Sequence, residues 1–257
     1  QVALNEAVKN NSHEKNQHMP SSQQRSALRT AYGILSSNSP FVTMRKNVNK
    51  AEADENGHFG HTHFPLKGVT IQGDGGAGKT SVVLNTLMKM LNINHGRWKN
   101  KGTVLNIAQT TDAANNISKY SSDLNNIESE GYMSANDFME GVRNGEKHDV
   151  TYIIIDEASR LSTADMYAIH RLYGDSDVKF ISLADPFQSI NSEQASNDSA
   201  IPIQLYLPRT NIITENFRSG NPDIKSLQDA IKKSIVGIWN EDVAFPNRPK
   251  YNSSHTA

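Results

Sequence analysis

The fold is decided by the stretch Val69-Thr70-Ile71-Gln72-Gly73-Asp74-Gly75-Gly76-Ala77-Gly78-Lys79-Thr80, a short apolar segment that runs into a glycine-rich loop. The loop has the spacing G-x-x-x-x-G-K-[ST], and the residues after it have the spacing of a helix. A loop placed between a strand and a helix offers backbone N–H groups and the positive end of the helix dipole to a phosphate. We therefore expect the phosphates of a nucleotide to bind here.

The residues of this loop have distinct expected roles. Glycines allow the backbone to pass close to a phosphate and to adopt positive φ. Lys79 is expected to reach the β- and γ-phosphates, and the Thr80 hydroxyl to ligate Mg²⁺. The predicted nucleotide-binding set in the loop is Gly73, Gly75, Gly76, Ala77, Gly78, Lys79, Thr80 and Ser81. A dinucleotide-binding loop would need G-x-G-x-x-G, and the Gly-Lys-Thr ending argues against it.

A second motif consists of three isoleucines, residues 153–155, followed by Asp156 and Glu157. Ligands bind at the carboxyl ends of strands in open α/β sheets, which is where Asp156 is expected to lie. Its carboxylate can hold Mg²⁺, and Glu157 can act as the general base that polarises the attacking water. Together with the loop, this motif indicates hydrolysis of the bound nucleotide.

Strand and helix patterns alternate along the rest of the chain. Apolar runs predict strands at 69–71, 103–108, 152–155, 178–183 and 210–214, and helical spacing predicts helices at 22–36, 79–92, from about 112, 135–142, 163–173 and 222–236. Residues 40–65 are predicted to be an inserted loop. The alternation is typical of an α/β fold in which helices cover both faces of a parallel β-sheet.

The composition of the chain excludes several kinds of site and of partner. The 257 residues carry 26 Lys and Arg against 27 Asp and Glu, so any nucleic acid must bind in a local groove rather than through a global positive field. Cysteine is absent, which excludes disulfides and cysteine-based zinc sites and fits a reducing compartment. No apolar run approaches the roughly 20 residues that span a bilayer. We expect no membrane partner and a cytoplasmic location, in the host cell if the protein is viral.

The ordered series of motifs resembles superfamily 1 helicases of the UvrD/Rep and RecD-like kind, from residue 22 to about 235. The stretches that carry the resemblance are Gly73–Thr80, Ala108–Ala114, Ser134–Met139, Asp156–Ser159, Leu183–Ile190 and Thr214–Ser219. The resemblance implies a RecA-like P-loop NTPase fold that binds ATP and Mg²⁺. It also implies ATP hydrolysis coupled to movement along single-stranded DNA or RNA, with DNA favoured.

The resemblance implies roles for further residues. Gln24 would read the adenine, with Gln23 as its rival, and Phe217 would stack on the base. Gln188 would sense the γ-phosphate, and Arg218 would be an arginine finger that offsets charge in the transition state. The expected catalytic set is Lys79, Glu157, Gln188 and Arg218.

Contacts to the nucleic-acid strand are expected at Thr110, Thr111, Ser134 and Phe138. Asp112 departs from the pattern, because relatives often carry Lys there and an anion repels the strand.

The resemblance divides the chain into a linker or tail of an upstream region (1–20), a RecA-like lobe 1A (21–209), and the start of lobe 2A with a loose tail (210–257). The later motifs of a second lobe do not follow, so a second lobe or other domains of a larger parent protein are expected partners. The alternative function is a nucleotide-dependent switch or scaffold module of a viral or mobile-element protein, without motor activity.

Overall fold

In a computed structural model of the chain, the residues described are 19–37, 41–42, 62–185, 203–215, 217, 226 and 230. The helices are α1 (Ser22–Ser36), a π-helix (Lys79–Leu84) continued by α2 (Asn85–Trp98), α3 (Thr111–Ser122), α4 (Ala135–Arg143), a 3₁₀ turn (Ala158–Arg160), α5 (Thr163–Tyr173) and α6 (Ile203–Tyr206). The strands are β1 (Phe41–Val42), β2 (Thr62–His63), β3 (Gly68–Gln72), β4 (Gly102–Ala108), β5 (Ile127–Ser134), β6 (Tyr152–Ile155) and β7 (Lys179–Ala184).

Strands β3 to β7 form one five-stranded sheet in the order β3-β7-β6-β4-β5, and every pairing in it is parallel. This confirms the predicted α/β fold with a parallel sheet. The carboxyl ends of β3 and β7 lie side by side, with Gln72 opposite Ala184. Ile155 at the end of β6 lies opposite Ser182 of β7. The segments that follow these three strands therefore meet at one edge of the sheet.

Helices cover both faces of the sheet, as β6 shows residue by residue. Tyr152 and Ile154 belong to the core that α1, α2 and α3 form on one face. Ile153 and Ile155 belong to the core under α4, α5 and α6 on the other face. Because successive side chains of a strand point to opposite faces, a strand covered on both sides is apolar throughout. This explains why the sequence identified β6 so clearly.

Strand β5 was not predicted from the sequence. It lies at the edge of the sheet beside β4, and of its eight residues only Ile127 is buried. Glu128 and Glu130 are exposed on it, and charged side chains of this kind protect an edge strand from pairing with other chains. A polar edge strand lacks the apolar run that marks a buried strand, so this segment had no strand signal.

Residues 209–213 run parallel to β3 on its outer side. They form two isolated bridges, between Arg209 and Thr70 and between Ile213 and Gly73, rather than the predicted continuous strand 210–214. The predicted helix 222–236 lies outside the described residues except for Ser226 and Ala230, which are helical.

In the predicted inserted loop 40–65, β1 and β2 pair as an antiparallel ribbon. Among the described helices, none is long and apolar enough to cross a membrane.

Candidate nucleotide-binding site

The glycine-rich loop begins directly after β3 and is fixed at its start. Gly73 N–H donates to the carbonyl of Ala184 at 3.1 Å, which ties the loop to the end of β7. A side chain at Gly73 would place its Cβ 3.1 Å from the Cβ of Ile213, so any larger residue here would crowd the neighbouring segment. Gly78 has φ 72°, and a Cβ there would lie 2.8 Å from Nε2 of Gln24. The spacing of glycines therefore reflects real steric demands.

The helix after the loop starts as a π-helix. The N–H groups of Val82 and Val83 both donate to the carbonyl of Gly78 at 3.0 Å. The first N–H groups of a helix have no acceptor within that helix, and its N-terminal end carries partial positive charge. Both features face the loop that Gly78 closes, and short π-helical segments are frequent at functional sites. The local backbone is thus built to receive an anion.

Lys79 lies over the loop. Its Nζ donates to the backbone carbonyl of Gly73 at 2.7 Å and to that of Asp74 at 2.9 Å. The ammonium group is therefore held where the loop would surround a phosphate. The next residue, Thr80, donates its hydroxyl to Oδ2 of Asp156 at 3.4 Å. That contact joins the two sequence motifs into one site.

Asp156 is the carboxylate that follows β6. Burial raises its pKa; the hydrogen bond from the Glu157 N–H to Oδ1, at 2.9 Å, and the charge of Lys79 act in the opposite direction. A carboxylate with a raised pKa gains from a cation placed beside it, because the cation stabilises the ionised form. Asp156 thus has the electrostatic character of a metal ligand.

Glu157 lies at the rim of the same site. Its backbone is in the left-handed region, with φ 51°. Its Oε2 pairs with Nε of Arg160 at 3.0 Å, and both side chains are about half exposed. An exposed ion pair contributes at most about 1 kcal/mol, so this one leaves the carboxylate able to turn toward a substrate.

A cavity of about 550 Å³ lies against the loop, a size that suits a nucleotide. Its walls contain the predicted residues Gln24, Gly75, Gly76, Ala77, Gly78, Lys79, Thr80, Ser81, Asp156, Glu157 and Phe217. Phe217 is 61% exposed, and its N–H donates to the carbonyl of Gly76 at 3.0 Å. Gln188 and Arg218 lie outside the described residues, so their predicted roles stay predictions.

The cavity also contains residues outside the predicted site set. Four of them belong to none of the motif stretches: Met19, Val82, Tyr120 and Arg160. Three others lie in the stretches Asp156–Ser159 and Leu183–Ile190 but had no predicted role: Ser159, Leu183 and Asp185. Asp185 follows the end of β7, so the rule that ligands bind at the carboxyl ends of strands could have given it one. Tyr120 lies in the last turn of α3, where no motif marks it. Burial and the nearby charge of Asp156 raise the pKa of Tyr120.

The residues that were predicted to contact a nucleic-acid strand differ in their surroundings. Thr110 follows β4 and is the N-cap of α3, and its side chain accepts from the N–H of Ala113. Ser134 is the last residue of β5 and the N-cap of α4, and its side chain accepts from the N–H of Asp137. Thr111 is exposed at the start of α3.

Phe138 does not fit its predicted role. It is 1% exposed and stacks with Tyr173 and His148 in the core beneath α4. The prediction that Phe138 contacts a strand is therefore wrong, because its ring has no face open to a base.

The donor atoms at Thr80 and Asp156 fit a magnesium ion. Mg²⁺ prefers oxygen ligands, and it is usually held by one or two protein groups with waters and substrate phosphates completing its shell. A hydroxyl and a carboxylate that already contact each other match that requirement. Within the described ranges, no cluster of three or more His, Cys, Asp or Glu side chains could hold a metal by itself.

The comparisons with known proteins agree with this geometry at the level of the family. No curated protein matches the chain. Residues 65–238, more than half of the chain, match the family model described as AAA domain. That span contains the glycine-rich loop, all five strands of the parallel sheet, and both carboxylates that follow β6. The chain therefore belongs to the AAA domain family, and its site is that of a nucleotide-hydrolysing P-loop module.

Proposed function

We propose that this chain is the ATP-hydrolysing lobe of a superfamily 1 helicase, which couples hydrolysis of Mg²⁺·ATP to single-stranded nucleic acid. The observation that carries the nucleotide part is the contact between Thr80 and Asp156 on the wall of the 550 Å³ cavity. It brings the loop that holds phosphates and the strand end that holds a metal to one place. Hydrolysis of a terminal phosphate needs both at once.

Each part of the site has a role in this proposal. The loop N–H groups and the Lys79 ammonium hold the phosphates, and Thr80 with Asp156 holds the metal. Bound Mg²⁺ supplies positive charge against the phosphoryl oxygens. The Glu157 carboxylate orients the attacking water and takes its proton, because it lies on the cavity wall next to Asp156 and is accessible to water.

The base of the nucleotide is assigned to the side of the cavity that Met19 and Phe217 form. The N–H of Phe217 donates to the carbonyl of Gly76, in the middle of the loop, whereas Thr80 and Asp156 mark the end where the metal would bind. Both Met19 and Phe217 are more than half exposed, so their apolar surfaces are available to the flat faces of a base.

The proposal that the chain binds nucleic acid is supported by the residues at the carboxyl edge of the sheet and by the order of the motifs. Thr110 follows β4 and Ser134 ends β5, which are neighbours in the sheet, so both hydroxyls lie at the same edge as the nucleotide site. Asp112 and Asp137 add negative charge in the first turns of the two helices. Strand contacts here would therefore use hydroxyl and backbone groups more than ion pairs.

Nucleic-acid-stimulated ATP hydrolysis tests this proposal. The rate is measured with and without single-stranded oligo-dT and oligo-U, for this chain and for a polypeptide that continues into a second lobe. We expect stimulation by the single strands, with the larger effect from DNA. If neither strand binds nor changes the rate in either polypeptide, the helicase assignment is wrong. ATP-dependent binding of another protein would then favour the switch or scaffold function.

A further inference from the structure

We propose that Gln24 is a positioning residue of the phosphate loop and not a reader of the nucleotide base. This inference rests on the proposed nucleotide site and names what one residue does there. It differs from the role that the helicase resemblance implies, in which the amide of this glutamine contacts adenine.

The side-chain amide of Gln24 has a partner inside the protein at each end. Its Oε1 accepts from the backbone N–H of Ser21 at 2.9 Å, as part of a capping box at the start of α1. Its Nε2 donates to the backbone carbonyl of Ala77, in the loop, at 2.9 Å. The side chain is only 2% exposed. The amide is thus held between a helix start and the loop, 53 residues apart in the chain.

The contact with Ala77 controls a peptide group of the loop. The carbonyl of Ala77 and the N–H of Gly78 belong to one planar trans peptide, so they point in opposite directions. When Gln24 holds the carbonyl, it turns the Gly78 N–H away from itself and fixes that donor. Gly78 also needs its positive φ of 72° at this point. Gln24 therefore sets the orientation of an N–H group in the part of the loop that binds phosphate.

Reading a base edge would require different atoms. Discrimination of adenine from guanine needs a donor and an acceptor that face the edge of the base. The Gln24 amide is bonded inside the protein through both Oε1 and Nε2, and the residue is only 2% exposed, so little of the amide is open to a base. Met19 and Phe217, which also line the cavity and are more than half exposed, present apolar surfaces. Stacking on such surfaces tolerates any base. The geometry therefore predicts that loss of Gln24 affects every triphosphate to the same extent.

Gln23 provides a matched control. It is the neighbouring glutamine, and its Oε1 accepts from the N–H of Thr214 at 2.9 Å, while its Nε2 donates to the Thr214 hydroxyl at 3.3 Å. Its amide thus joins α1 to Thr214, and among the described residues it makes no hydrogen bond to the glycine-rich loop. Gln23→Ala removes a glutamine of the same helix turn without removing the bond to Ala77.

The experiment compares binding of ATP, GTP and inorganic tripolyphosphate, each with Mg²⁺, by titration calorimetry. For Gln24→Met we expect all three dissociation constants to rise by a similar factor, on the order of tenfold, which corresponds to one lost hydrogen bond to the loop. Gln24→Glu should show the same uniform loss, since it can still cap Ser21 but presents an oxygen to the Ala77 carbonyl. Gln23→Ala should bind all three ligands as the wild type does.

The outcomes separate the alternatives. If Gln24→Met and Gln24→Glu lose affinity for ATP but not for GTP or tripolyphosphate, Gln24 reads the base and the inference is wrong. Unchanged affinity for all three ligands would also overturn it, and thermal unfolding of each variant shows whether it is folded. A wild-type protein that binds none of the three ligands would instead overturn the proposed function, and this inference with it.

Discussion

Glu157 is held in a backbone conformation that side chains rarely adopt, and it is also the residue that the proposal makes the general base. A φ of 51° at a non-glycine residue costs on the order of 1–2 kcal/mol. Its neighbour Asp156 directly follows the buried strand β6, and the left-handed residue comes next. The Asp156 carboxylate is partly buried beside Thr80, and the Glu157 carboxylate is about half exposed at the rim.

Glu157→Gln should therefore preserve nucleotide binding and stop turnover. The amide keeps the size of the side chain and the backbone turn, but it cannot accept a proton from water. We expect kcat for ATP to fall by about 10²-fold or more, in the range of general-base catalysis, with the dissociation constant for ATP within about threefold of the wild type. Single-turnover hydrolysis and nucleotide titration measure the two quantities. Normal turnover would reject Glu157 as the base.

In the absence of a metal, the ionised carboxylate of Asp156 should lower the stability of the folded protein. Burial raises its pKa in the folded state, so the folded protein binds this proton more tightly than the unfolded chain. Stability therefore falls as pH rises through the unfolded value toward the folded one, and the ionised carboxylate retains this cost at higher pH. Asp156→Asn should therefore raise Tm in EDTA at pH 7 and abolish Mg²⁺-dependent hydrolysis.

Calorimetric unfolding at pH 7 and pH 4.5 checks the sign of this effect. The gain in Tm from Asp156→Asn should shrink at the lower pH, because the wild-type carboxyl is then closer to its neutral form. A gain that grows at low pH, or a variant that unfolds below the wild type at pH 7, would contradict the assigned cause.

For single residues, motif spacing predicted those whose chemistry depends on local backbone geometry. Lys79 contacts the glycine-rich loop, and Thr80 contacts Asp156 directly after β6. Phe138 could not be assigned in the same way, because an aromatic residue on an amphipathic helix has the same spacing whether it faces a core or a ligand. Arg160 and Tyr120 reach the cavity only through the packing of a 3₁₀ turn and of α3, which no sequence pattern encodes.

At the level of elements, α4 carries two residues that were predicted to contact nucleic acid, Ser134 and Phe138. One of them is a helix cap, and the other is a core residue. Ser134 caps the helix, and its hydroxyl also donates to Oδ2 of Asp137 at 2.7 Å. Phe138 packs beneath the same helix against Tyr173, which in turn packs edge-on against Phe180 of β7. The cap faces solvent, and the ring anchors the helix to the sheet.

Phe138→Ala should destabilise the fold by about 3–5 kcal/mol, the usual cost of removing a buried phenylalanine ring. Ser134→Ala should cost only about 1 kcal/mol, as loss of an N-cap does. Urea unfolding gives both values. If Phe138 instead contacted nucleic acid at the surface, Phe138→Ala would destabilise the protein less than Ser134→Ala. It would then leave stability nearly unchanged and weaken binding of the nucleic-acid strand.

Sequence patterns identified the elements that are buried on one or both faces and missed β5. That strand is recognisable only in the folded sheet, where its register against β4 shifts between Val104 and Leu105. The predicted strand 210–214 was placed near the correct position, but a pattern of apolar residues cannot show that only two isolated bridges form.

For the whole molecule, the site is assembled from segments that are distant in sequence. The hydroxyl of Ser21 donates to the carboxylate of Glu215, 194 residues away, and Thr80 contacts Asp156 over 76 residues. The parallel order β3-β7-β6 makes this possible, because it brings the ends of three strands to one edge. The fold and the phosphate-binding loop follow from the sequence and the structure, and the family from its matching model, whereas hydrolysis of ATP and coupling to a nucleic-acid strand are proposals.

Mg²⁺-dependent hydrolysis of ATP by the wild type and by Lys79→Ala tests the central claim most directly. Lys101→Ala is the matched control, because Lys101 is an exposed lysine that pairs with Glu128 beside the first residue of β4. We predict measurable turnover in the wild type and in Lys101→Ala. The rate should be at least about 10²-fold lower in Lys79→Ala, because that variant lacks the positive charge that stabilises the transferred phosphate. Equal turnover in Lys79→Ala and the wild type would contradict the account.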